Sequence, residues 1–95
     1  MAPTYARVAQ HLLACCSEYR EGDGGLEALK SAVWNAAGEV RLPEERSLRD
    51  FLQRAEGQLD MIQFTVGADD VRAAVLEVVM ALEARLRSYL ARGGA

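Results

Sequence analysis

Ninety-five residues, 51% of them apolar, are enough for one domain with a single core. A formal net charge of −3, with Lys30 the only lysine beside ten arginines, argues against a general nucleic-acid binder, because neutralising phosphates takes a concentrated basic face. Residues 1–40 carry five acids and three bases, 41–66 five and four, and 67–95 four and four, which excludes a basic arm or an acidic tail.

The first predicted helix starts at Thr4 after Pro3 and ends near Arg20, with Tyr5, Val8, Leu12, Cys15, Cys16 and Tyr19 on one face and Arg7, His11 and Glu18 on others. Its beginning, MAPTYARVAQHLLACC, has no positive cluster ahead of its apolar part, so it does not fit a signal peptide. No apolar run approaches the roughly 18 residues of a membrane span. A soluble, cytoplasmic protein is expected, with Cys15 and Cys16 reduced, since neighbouring cysteines cannot staple distant parts of a chain through one bridge.

Glu21 to Gly25, EGDGG, is a turn and the expected cap site of the second helix, which carries Leu29, Val33, Ala36, Ala37 and Val40 on its stripe. Pro43 disfavours helical backbone at Leu42, and it suits the first turn of a third helix, where Glu44 and Glu45 meet the positive end of the dipole. That helix has the strongest stripe in the chain: Leu48, Phe51, Leu52, Ala55, Leu59, Ile62 and Val66. After Gly67, Asp69 and Asp70 offer N-caps for a fourth helix with Val71, Val75, Val78, Val79, Leu82, Leu86 and Tyr89 inward, stopped by Gly93 and Gly94. Short connections favour antiparallel neighbours. The expected fold is all-α, a single-domain antiparallel four-helix bundle with helices at about 4–20, 26–41, 43–66 and 69–92.

Recognisable catalytic spacing is missing. His11 is the only histidine, with no glutamate three residues before it, and it forms no zinc set with two neighbouring thiols. Cys15 lies one turn after His11, but the stripe assigns it to the core and no third group orients the pair. EGDGG lacks both the Lys-Ser/Thr ending of a phosphate loop and a preceding strand. No catalytic, cofactor-binding or metal-binding residue is assigned.

Two features point to binding instead. Glu56 and Asp60, at i and i+4, form a polar ridge with Arg49, Gln53 and Gln63, and two like charges one turn apart cost a helix a few tenths of a kcal/mol. Either Arg49 or an arginine of a neighbouring helix softens that ridge, or it meets a basic partner. Apolar residues also fall off the stripes: Trp34, Met61 and Phe64, and Leu76 with Met80 on the side of Arg72, Glu83 and Arg87. Trp34, Leu76 and Met80 either belong to the wider apolar arc of a bundle helix that touches two neighbours, or are exposed for a partner. Met61 and Phe64 lie nearly opposite the stripe and read as anchors for a partner or a homodimer face.

The run YREGDGGLEALKSAVWNAAGEV, Tyr19 to Val40, joins a helix ending in an aromatic residue, a Gly-containing turn and a Leu-x-x-Leu-x-x-x-Val-Trp helix. It resembles the small helical immunity proteins that bacteria make against colicin-like toxins. The resemblance implies a small acidic protein that blocks a basic nuclease-type toxin, and it assigns no inhibitory residue. The combined expectation is a non-enzymatic helical domain that binds another protein through Trp34, Glu56, Asp60, Met61 and Phe64, without nucleic acid or membrane. The alternative is a homo-oligomeric structural protein, with Met61 and Phe64 in the subunit interface.

Overall fold

Gly22 decides where the first helix stops. In the computed structural model, which describes residues 4–94, α1 spans Ala6–Glu21 and Gly22 follows with φ +87°, the left-handed region that favours glycine. Its N–H donates to the Tyr19 carbonyl (3.1 Å) and the Asp23 N–H to the Glu18 carbonyl (2.9 Å), the paired closure of a Schellman motif. The EGDGG turn therefore caps the helix before it. The expected side-chain cap for the next helix does not form, since Gly25 occupies that position with extended backbone.

Three further helices follow: α2 at Leu26–Glu39, α3 at Arg46–Thr65 and α4 at Val71–Gly94. No strand occurs among the described residues. The boundaries depart from the sequence expectation for local reasons. Thr4 and Tyr5 form a turn ahead of α1, the Tyr5 N–H being held by the Tyr89 hydroxyl at 3.0 Å. α2 ends at Glu39 rather than 41, because the N–H groups of Arg41 and Leu42 donate to the Tyr5 hydroxyl (3.0 and 3.1 Å). Pro43–Glu45 forms a separate 3₁₀ turn, closed by the Glu45 N–H on the Leu42 carbonyl (2.9 Å), so α3 proper begins at Arg46. Asp69 and Asp70 lie in the turn before α4, and the Asp70 carbonyl accepts the Ala74 N–H at 3.1 Å. α4 runs to Gly94, two residues past the expected end at 92, since a single glycine costs a helix only about 1 kcal/mol.

Each helix packs on its neighbours in sequence, and α4 also packs on α1. The interior holds Leu12 and Cys16 of α1, Leu29 and Val33 of α2, Leu48, Leu52 and Leu59 of α3, and Val75, Val79, Leu82, Leu86 and Tyr89 of α4, all nearly inaccessible. Val40 is buried although it lies outside α2. Phe51, Ile62 and Val71 close the rim, half-buried. No helix among the described residues is long and apolar enough to cross a membrane.

Candidate functional site

Lys30 organises the outer side of the α2–α3 pair. Its ammonium donates to Asp60 Oδ1 and to Gln63 Oε1, both at 2.8 Å, and Gln63 Nε2 donates to Glu27 Oε1 at 2.7 Å. Glu27 itself lies 3.9 Å from the ammonium. The hydrogen bond to Asp60 is the leading cause holding the Lys30 pKa above its ordinary value, with smaller support from the charges of Asp60, Glu27 and Glu56. The like-charge pair on α3 is therefore compensated within the chain, by the single lysine instead of an arginine.

One turn along α2, Trp34 stands out into solvent at 66% exposure. Together with Glu27, Lys30, Ser31 and the half-buried Glu56 it lines a shallow cleft of about 190 Å³. Three carboxylates (Glu27, Glu56, Asp60) against one ammonium (Lys30) leave two uncompensated negative charges beside an exposed indole. This arrangement can take a cation by charge attraction and a flat apolar or guanidinium group by stacking.

The other two residues singled out from the sequence lie elsewhere. Met61, 65% exposed, lines a groove of about 420 Å³ between α3 and α4, with Gln58, Ile62, Thr65, Ala74, Glu77, Val78 and Ala81. Phe64, 77% exposed, lines neither space. The structure thus brings Trp34, Glu56 and Asp60 around Lys30 and does not bring all five residues into one pocket. Leu76 is half-buried against the core, whereas Met80 remains exposed.

A polar network at the α1–α4 contact was not anticipated. Glu83 is 5% exposed and paired with Arg20, while Arg72 donates to the Arg20 carbonyl at 2.8 Å and lies over the Tyr19 ring at 5.5 Å. On the helical wheel Glu83 lies about 40° beyond Val79, just outside the stripe, so its burial depends on the packing of α1 and not on the pattern of α4. Lys30 sits one turn after Glu27.

The thiols are unlike nucleophiles. Burial, reinforced by the nearby Glu83 carboxylate, pushes Cys16 up to about 12, and burial followed by Glu18 raises Cys15 as well. Cys15 Sγ lies 3.8 Å from His11 Nε2. A reactive cysteine needs the opposite shift.

No family model, curated protein or solved structure matches this chain.

Proposed function

We propose that this chain is a non-enzymatic protein-binding domain, an antiparallel four-helix bundle that presents the α2–α3 face to a basic partner. The observation that carries the reading is Trp34, two-thirds exposed beside a cluster with two net negative charges, on a helix whose core stripe is complete without it. Aromatic residues are enriched among interface hot spots, and acids at the rim steer a basic partner and set its orientation. The antiparallel arrangement is supported by where the helices touch. Tyr5 at the start of α1 meets Tyr89 late in α4, Arg20 and Arg72 join the other ends of the same pair, Lys30 early in α2 meets Asp60 late in α3, and Ser47 early in α3 meets Arg85 late in α4. The resemblance of residues 19–40 to bacterial immunity proteins supports a specific form of this function, neutralisation of a basic toxin in the cytoplasm.

The test is affinity capture from an extract of the source organism, at low and moderate salt, with wild type and a Trp34→Ala, Glu56→Lys variant. Asp60 is kept, because reversing it would set two ammonium groups against each other at Lys30. A basic protein retained by wild type, lost by the variant and weakened by salt is the expected result; retention indifferent to both substitutions would refute the assignment to this face.

A further inference from the structure

The α3–α4 groove carries a charge pattern that pairs with itself. Along the exposed side of α4, Ala74, Ala81 and Ser88 recur every seven residues and so share one face. Glu77 and Arg85 flank Ala81 four residues to either side, about 40° off its line in opposite directions. Arg92 follows it by eleven residues, about 20° off, and Asp70, eleven residues before it, lies in the turn that leads into α4. Reversing the helix about Ala81 therefore exchanges Glu77 with Arg85. Glu77 and Asp70 have no ion-pair partner among the described residues. Arg85 is held by neutral groups, donating to Ser47 Oγ at 2.8 Å and lying over the Phe51 ring at 5.8 Å.

The α3 wall adds no net charge at either end of the groove. At the Glu77 end it presents Met61 and Thr65, and at the Arg85 end Arg54 with one acid, Asp50. The groove's polarity therefore comes from α4, with Glu77 toward one end and Arg85 toward the other, and Gln58, Val78 and Ala81 between them.

We propose that a second copy of this chain docks in the α3–α4 groove, its α4 antiparallel to the first about a two-fold axis through Ala81, with Glu77 facing Arg85 of the other copy. An isologous contact requires a pattern that is its own complement, and this one is. Alanine and serine at the centre let the two helix backbones approach, and Met61 gains cover it lacks in the single chain. The strip from Asp70 to Arg92 is about 33 Å long, and two helices make it about 20 Å wide. The footprint is on the order of 650 Å² per copy, at the lower edge of specific interfaces. The site is separate from the α2–α3 face, so Trp34 stays exposed in the dimer.

Mass measurement on the full chain from about 1 to about 300 µM tests this, by sedimentation equilibrium or light scattering. Wild type should move toward twice the 10.4 kDa of one chain. Glu77→Arg alone and Arg85→Glu alone should stay monomeric, and an equimolar mixture of the two should recover the dimer, because each reversed charge then meets its opposite. Since Arg85 also holds Ser47, Ala81→Glu, checked for helicity, provides a second disruption and should be monomeric. A wild-type monomer throughout, a dimer that survives Ala81→Glu or either single reversal, or single reversals not rescued by mixing would overturn the proposal. The Trp34→Ala, Glu56→Lys variant should dimerise as wild type does, so failure of the partner-binding reading leaves this result untouched.

Discussion

Cys16 couples the core to alkaline pH. Its thiol stays protonated in the folded chain up to about 12, whereas in the unfolded chain it ionises near 9. Above pH 9 the unfolded state therefore binds fewer protons, so this contribution to stability is intact below that pH and is lost as pH rises toward 12. Tyr89, raised chiefly by burial, and Lys30, raised chiefly by its bond to Asp60, act in the same direction at higher pH. Urea unfolding across pH 8–10.5 is expected to show falling stability in wild type, and Cys16→Ala should flatten that slope by up to one proton, about 1.4 kcal/mol per pH unit. An unchanged slope would mean that the thiol is not shielded. Substitution of the buried side chain also lowers stability at every pH, and only the slope bears on the titration.

At the scale of the elements, the turns fix what the stripes leave open. Gly22 is the one described residue with positive φ, and a Cβ there would meet nothing within 4 Å, so the cost of Gly22→Ala is conformational alone. A loss of about 1 kcal/mol in thermal or denaturant unfolding is expected, with Gly25→Ala, at negative φ, costing less. Equal effects would place the strain elsewhere. The helices themselves were legible because buried positions repeat at helical spacing: the stripe of α2 was read in full, and that of α4 except for Glu83. The ends were less legible, because they depend on partners distant in sequence. Nothing local to Arg41 and Leu42 announces that the Tyr5 hydroxyl will take their N–H groups. The ridge of Glu56 and Asp60 was read correctly as a like-charge pair, but its compensation by Lys30 depends on the register of α2 against α3, which a single-helix wheel does not contain. The same limit explains why Met61 lines the α3–α4 groove and Phe64, three residues on, does not.

Across the whole molecule, four helices make a body of 43 × 24 × 17 Å, about two helices thick in its shortest direction. Every helix then has an outward face, and the two faces bordering α3 differ in character. The α2–α3 side is acidic around an indole, and the α3–α4 side is apolar with opposite charges at its two ends. The two proposed contacts use different faces, so they are expected not to compete. The direct test of the binding face is emission from Trp34, the only tryptophan, during titration with the basic protein recovered by capture. With a partner lacking tryptophan, or after subtraction of its signal, a shift to shorter wavelength and protection from acrylamide quenching should saturate with binding and weaken with salt. Full binding that leaves Trp34 as accessible as in the isolated chain would contradict the assignment of this face.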